Sequence, residues 1–149
     1  MKSTRDYRYD KSMEPEEETL ARDIMATDII SISEDLTLEE ALKILVHNRL
    51  TALPVVEESG AMVGIITDFD IMIQMSAQHE VSLTTFQEKI RFSKKPVTVP
   101  EEATLDQVLN LLIEKKMRRV PVVDHAGKLT GIISRRDIMK LFFYRSKLG

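Results

Sequence analysis

The chain has no cysteine among its 149 residues, so it can hold no disulfide frame and offers no thiolate for catalysis or metal binding. That absence fits a reducing compartment. No apolar run approaches the roughly 20 residues a membrane-spanning helix needs, and the N-terminus, Met1-Lys2-Ser3-Thr4-Arg5-Asp6, is too polar for a signal peptide. The chain reads as cytoplasmic, with no membrane partner. Aromatic residues make up only 5% and are not interleaved with basic ones as on RNA-binding surfaces. With no DNA-reading helix signature either, no nucleic-acid partner is expected. His47, His79 and His125 are scattered, none near a plausible nucleophile or a second ligand at metal spacing. No catalytic residue, metal site or catalytic cofactor is expected, and the chain is not read as an enzyme.

What is present is ordinary in bulk: 43% hydrophobic and 30% charged residues, enough for about one domain with a real core. The net charge of −3 is unevenly spread, with −7 over residues 21–78 and +8 over residues 89–149. An anion would sit on the basic side, although two solvated faces that drifted apart would give the same figures.

The chain also repeats itself. Leu53-Pro54-Val55-Val56 returns 67 positions later as Val120-Pro121-Val122-Val123, and Gly64-Ile65-Ile66-Thr67-Asp68-Phe69-Asp70-Ile71-Met72 returns as Gly131-Ile132-Ile133-Ser134-Arg135-Arg136-Asp137-Ile138-Met139. Residues 30–72 align with 97–139 without a gap, with 15 identities in 43 positions. Residues 1–20, which include Met13-Glu14-Pro15-Glu16-Glu17-Glu18, lack apolar periodicity and read as a mobile leader. Residues 21–80 hold the first copy, and residues 81–149 hold the second with a connecting segment and a C-terminal helix.

Both copies parse alike. A short β-type run (Ile30-Ser31-Ile32; Val97-Thr98-Val99) precedes a helix whose apolar positions recur at i, i+3, i+4, i+7 and i+8. These are Leu38, Ala41, Leu42, Leu45 and Val46 in one copy, and Leu105, Val108, Leu109, Leu112 and Ile113 in the other. Thr37 with Glu40, and Thr104 with Gln107, form the capping boxes that start them. Two β-type runs follow around a turn holding Gly60 or Gly127, then a second helix. Such a β-α-β-β-α unit implies one parallel pair and one antiparallel hairpin, with the helices on one face. A unit of roughly 50 residues is marginal alone. The fold class is therefore α/β (α+β): two tandem repeats packed through their small mixed sheets and sharing one core.

Chemistry concentrates where the last strand of each copy meets its last helix. Thr67 with Asp70, and Ser134 with Asp137, put a hydroxyl and a carboxylate above a helix N-terminus, where free N–H groups attract phosphate and a carboxylate can accept a ribose diol. The same spacing is a capping box that needs no ligand, and one residue can play both parts. An arginine fork binds phosphate oxygens in bidentate fashion. Arg118, Arg119, Arg135 and Arg136 are candidates, while Asp68 and Phe69 stand in the first copy where Arg135 and Arg136 stand in the second. The cleft with Ser134 and Asp137 is thus expected to hold the more highly charged ligand, unless Arg135 and Arg136 only cover a solvated helix start.

Taken in order, the capped helices, the Pro-Val-Val strands and the Gly-Ile-Ile-[Thr/Ser]-x-x-Asp motifs resemble a tandem pair of cystathionine-β-synthase-type (CBS) domains, a Bateman module, over about Ala21 to Lys140. Ile24-Met25 matches the family's lead-in. The resemblance implies a regulatory module that binds AMP, ADP, ATP or S-adenosylmethionine in two clefts between the repeats, pairs into a flat homodimer and acts on a protein in trans. It makes Asp70 and Asp137 ribose contacts and brings Ser31 and Thr98 near the ligand, although Ser33 stands where the second copy has Pro100. It slots the adenine between Thr51-Ala52-Leu53 and Arg118-Arg119-Val120, with Ile65 and Ile132 completing the set. Three aromatics in Leu141-Phe142-Phe143-Tyr144 exceed what one helix face buries inward and also favour a dimer, with acidic copy stacked on basic copy. The competing readings are a structural dimerisation module without a selective ligand and an S-adenosylmethionine sensor.

Overall fold

The structure, a computed structural model, describes residues 18–76 and 83–148. The leader up to residue 17, and His79, lie outside the described residues. In chain order the elements are α1 (Ala21–Ile24), β1 (Ile32–Ser33), α2 (Leu38–Asn48), β2 (Ala52–Val56), β3 (Met62–Thr67), α3 (Asp68–Ser76), α4 (Leu83–Phe86), β4 (Ser93–Lys94), β5 (Val99–Pro100), α5 (Leu105–Glu114), β6 (Arg119–Val123), β7 (Leu129–Ser134) and α6 (Arg135–Leu148).

The capping boxes form as their spacing requires. Thr37 Oγ1 accepts from the Glu40 N–H at 3.2 Å while Glu40 Oε1 accepts from the Thr37 N–H at 3.1 Å. Those Thr37 donors, the backbone N–H first and then the hydroxyl, hold the Glu40 carboxyl below its usual value. Thr104 and Gln107 repeat the exchange at 3.0 and 3.1 Å. The helices then bury most of the predicted stripes, with Leu38, Ala41 and Leu45 from α2 and Val108 and Leu112 from α5, but leave Val46 and Ile113 at their ends exposed.

Each copy builds a mixed sheet. β1 runs parallel to β2, and β2 antiparallel to β3; β5, β6 and β7 repeat the pattern, down to an irregularity after Val55 and after Val122. The first strands are shorter and later than the β-type runs suggested, because each meets only the last two residues of its neighbour. The hairpin turns join across the copies: the Met62 N–H donates to Gly127 O at 3.0 Å and the Leu129 N–H to Gly60 O at 3.2 Å. Since 62 and 60 match 129 and 127 in the duplication, the contact has local two-fold symmetry.

The copies do not share one core. One buried cluster gathers Ile32, Leu38, Leu53, Val55, Ile66 and Ile71, and the other gathers Val99, Val108, Leu112, Val120, Val122 and Ile133. The copies are tied instead by exchanged lead-ins. Residues 21–26 open the first copy in sequence but pack on the second, where the Ala21 N–H donates to Ala103 O at 2.7 Å and Ala26 and Ile132 exchange bonds at 2.8 and 3.0 Å. Residues 88–94 cross the other way: the Leu38 N–H donates to Glu88 O at 2.8 Å, the Ile90 N–H to Leu36 O at 3.0 Å, and β4 adds a fourth strand beside β3. Ala21 thus closes the second core and Ile90 the first. Gln74, only 2% exposed, grips the crossing strand, donating to Lys89 O and accepting from the Arg91 N–H, both at 2.9 Å.

Two glycines let the lead-ins approach. A Cβ on Gly64 would run into the Phe92 ring and the Ser93 carbonyl, and one on Gly131 into Met25. Backbone cannot yield as a thioether side chain can. Gly64→Ala is therefore expected to destabilise the fold by about 2–3 kcal/mol, at the upper end of the overpacking range, and Gly131→Ala by less. Thermal denaturation of the two variants checks this order, because the Gly131 clash is with one side chain whereas the Gly64 clash includes backbone.

Candidate functional site

Both strand-to-helix junctions have the same internal geometry. Asp70 Oδ2 accepts from the Thr67 N–H at 2.9 Å and the Thr67 hydroxyl at 3.0 Å, while Thr67 Oγ1 accepts from the Asp70 N–H at 3.1 Å. Ser134 and Asp137 repeat these contacts at 2.7, 3.0 and 3.2 Å. The capping role is thus filled in both copies. None of these bonds uses Oδ1, so each carboxylate is fixed in direction with one oxygen left over.

In front of the first junction lies a cavity of about 380 Å³ between the copies. Thr51, Ala52, Ile65, Thr67 and Asp68 wall it on one side, and Met117, Arg118 and Arg119 on the other. Asp70 is bonded to Thr67 but, like Ser134 and Asp137, is not itself among the residues that line this cavity; Arg119 sits opposite Ser134 in the β6–β7 ladder, which ties the second junction to the same wall. Among the described residues no ion pair joins Arg118 or Arg119 to a carboxylate, although Arg119 is half-buried. A second cavity, of about 320 Å³, shares Ile65 and Met117 and adds Pro96, Val97, Pro121 and the lysines Lys94, Lys95 and Lys115. Apolar walls with cations and hydroxyls at the rim suit a flat heterocycle carrying an anionic tail.

A family model described as the CBS domain matches residues 21–77 and again residues 88–144. The chain belongs to the CBS domain family. This CBS pair is 33% identical to the CBS domain-containing protein CBSX1, chloroplastic, of Arabidopsis thaliana, over 70% of this chain and 55% of that protein. It is 34% identical to inosine-5'-monophosphate dehydrogenase of Mycobacterium leprae (strain TN), over 78% of this chain but 21% of that enzyme. The chain therefore spans about half or less of the length of these relatives. Among solved structures it is similar to CBSX2 in complex with AMP, with a TM-score of 0.74 and 26% identity over 85% of this chain and 98% of that one. It is also similar to the CBS domain pair of the protein MJ0100 in complex with 5-methylthioadenosine and S-adenosyl-L-methionine, with a TM-score of 0.68 and 30% identity over 86% and 98%.

Within this CBS pair the expected site residues divide. Thr51, Ala52, Ile65, Thr67, Arg118 and Arg119 wall the cavity. Leu53 and Val120, expected as apolar walls, are fully buried in the two cores. Ser31 and Thr98 lie just ahead of β1 and β5, outside the walls of both cavities, and Ile132 is engaged with Ala26. Arg135 turns away: its Nε donates to Met117 O at 2.7 Å, and its side chain lines a groove between α5 and α6. Arg136 is exposed on α6.

Asp68 walls the cavity, as its place in the first motif suggested, whereas Met117 and the lysines of the second cavity were not expected there. Lys94 and Lys95 reach it only because the second lead-in crosses to the first copy. Among the described residues no group of His, Asp or Glu side chains could hold a metal ion, and no helix is long and apolar enough to cross a membrane.

Proposed function

We propose that this CBS pair is a regulatory module that binds an adenosine nucleotide between its two copies, performs no chemistry itself, and transmits occupancy to a protein in trans. One observation carries the reading: a cavity walled by both copies sets the Thr67 hydroxyl and two arginines, neither in an ion pair among the described residues, around an apolar slot. The adenine fits against Ile65, Met117, Val97 and Pro121, the free Oδ1 of a capped aspartate suits a ribose hydroxyl, and Arg118 and Arg119 suit phosphate. The relatives solved with AMP and with S-adenosyl-L-methionine support an adenosine-containing ligand. Calorimetric titration of AMP, ADP, ATP and S-adenosylmethionine tests the reading. Saturable heat with a nucleotide supports it, and no binding of any of the four would leave a structural dimerisation module.

Arg118 and Arg119 now carry the phosphate role that sequence spacing shared with Arg135 and Arg136. Affinity should rise from AMP to ATP. The double variant Arg118→Ala/Arg119→Ala should lose at least about tenfold for ATP, the scale of one charge-assisted hydrogen bond, while adenosine itself binds nearly as before. Asp68 in the same cavity opposes polyphosphate, so Asp68→Asn should strengthen ATP binding.

The homodimer belongs to the same proposal. Two apolar grooves related by the duplication lie between α2 and α3, about 450 Å³, and between α5 and α6, about 340 Å³. Val46, Met72, Ile113 and Met139 on their rims are each more than half exposed. Asp68 and Arg49 line the first groove and Lys116 and Arg135 the second, so the second is the more positive, and the preference for stacking opposite copies rests on that difference. Sedimentation should give a dimer at micromolar concentration, and Met72→Asp/Met139→Asp should give a folded monomer.

A further inference from the structure

We propose that the lysine-rimmed cavity beside the arginine site holds a second anionic group, so that the ligand of this CBS pair is an adenosine nucleotide charged at both ends, with phosphate on the ribose and an acidic substituent on the base. The subsite rests on the nucleotide reading above, which puts the adenine against Ile65, Met117, Val97 and Pro121. Lys94, Lys95 and Lys115 rim that smaller cavity of about 320 Å³, and the phosphate role of Arg118 and Arg119 leaves them unassigned. All three are exposed, and among the described residues no ion pair joins them to a carboxylate. The two cavities share Ile65 and Met117, so they form one trough. β3 sets the order along it. Lys94 stands opposite Gly64 and Ser93 opposite Ile65 in the β3–β4 ladder, while Thr67 lies three residues past Gly64, about 10 Å on. Arg118 and Arg119 join Thr67 at that end. Cations therefore close both ends of an apolar slot.

The duplication shows that the fold does not need these charges. Ala26 bridges Ile132 as Ser93 bridges Ile65, yet the positions 67 before Lys94, Lys95 and Lys115 hold Thr27, Asp28 and Asn48. The first lead-in makes the same crossing without a cation. Lys95 also adopts a left-handed φ of 58°, shared among the described non-glycine residues only by Arg49 and Lys116, which directly follow helices. Strain of that kind persists where a ligand is clamped. The chemistry of the group follows from what an ammonium can do, which is donate only. Adenine turns a free N6 amino donor toward that rim, and every phosphate of AMP, ADP or ATP leaves from the ribose, on the side of Arg118 and Arg119. A carboxylate carried on N6 would face the lysines with acceptors and supply the missing charge.

Calorimetric titration of the full chain with AMP, and with AMP whose N6 carries a dicarboxyethyl group, tests the subsite. The substituted nucleotide should bind at least about tenfold tighter than AMP, the scale of one charge-assisted hydrogen bond, and its affinity should fall more steeply with salt. Lys94→Gln/Lys95→Gln/Lys115→Gln should bring the two nucleotides to the same affinity, with a melting temperature close to native because all three side chains are exposed. Arg118→Ala/Arg119→Ala should instead weaken both by the same factor, since their phosphate is common. AMP binding with no gain from the N6 group, or a gain that survives the lysine substitutions, would overturn the subsite and leave the nucleotide reading standing. A lysine variant that loses more affinity for ATP than for AMP would also overturn it, because the lysines would then hold the phosphate tail. Failure of both nucleotides to bind would sink the nucleotide reading and the subsite with it.

Discussion

Segments covering residues 1–80 and 81–149, expressed apart, will each fail to fold, and mixing them will restore a folded complex that binds the same nucleotide as the intact chain. The first segment lacks Ile90, Phe92 and β4, which close its core and the edge of its sheet; the second lacks Ala21, Ile24 and Met25, which do the same for its own. Removing a large buried aromatic or aliphatic side chain costs about 2–5 kcal/mol, and several leave together here with their backbone hydrogen bonds. A domain of this size holds only about 5–15 kcal/mol in total. Circular dichroism of each segment and of the mixture gives the readout. A cooperative melt from either segment alone would contradict the exchanged architecture. Gln74→Ala in the intact chain is the milder version, stranding Lys89 O and the Arg91 N–H and lowering the melting temperature.

Asp137→Ala and Asp70→Ala should each weaken every adenosine ligand by about 1.5–3 kcal/mol, roughly ten- to a hundredfold, the range for hydrogen bonds to a charged group. The loss should be nearly the same for adenosine, AMP and ATP, since the ribose is common to all three. The arginine substitutions instead penalise ligands in proportion to their phosphates. Both aspartates also cap their helices, so alanine should lower stability by about 1 kcal/mol in addition. Asparagine separates the effects, because its side-chain oxygen can still accept from the Thr67 or Ser134 N–H but carries no charge for a ribose diol. Asp137→Asn is therefore expected to melt close to the native protein while binding weakly. Native affinity in Asp70→Ala and in Asp137→Ala, with only the melting temperature lowered, would reduce both residues to helix caps.

Local order was legible because it depends on near neighbours. Thr37 with Glu40, Thr104 with Gln107, and the strands around Pro54 and Pro121 follow from spacing alone, and the duplication gave each of them twice. The exchange of lead-ins was not legible. Residues 21–26 adjoin the first copy in sequence, and nothing local says that Met25 packs over Gly131 rather than over its own sheet. Met25 and Phe92 do stand 67 positions apart, like every other matched pair, yet their chemical types differ enough to hide the correspondence.

The candidate site was legible at its hydroxyl–aspartate pairs for the same reason as the caps. It was less so on the strands, because Ala52-Leu53-Pro54-Val55-Val56 is apolar on both faces and does not declare that Leu53 faces the core while Ala52 faces the cavity. Arg135 follows Ser134 directly, but the first turn of α6 carries its side chain round to Met117 O and away from the space Ser134 shares with Arg119.

The central claim is that one adenosine ligand is held by both copies at once, and an NMR titration of AMP followed at backbone amides tests it most directly. The account predicts that Thr67, Asp68 and Ile65 from the first copy shift together with Met117, Arg118 and Arg119 from the second, along one saturation curve with a common midpoint. Shifts confined to one copy, or spectra unchanged by AMP, ADP, ATP and S-adenosylmethionine alike, would contradict it.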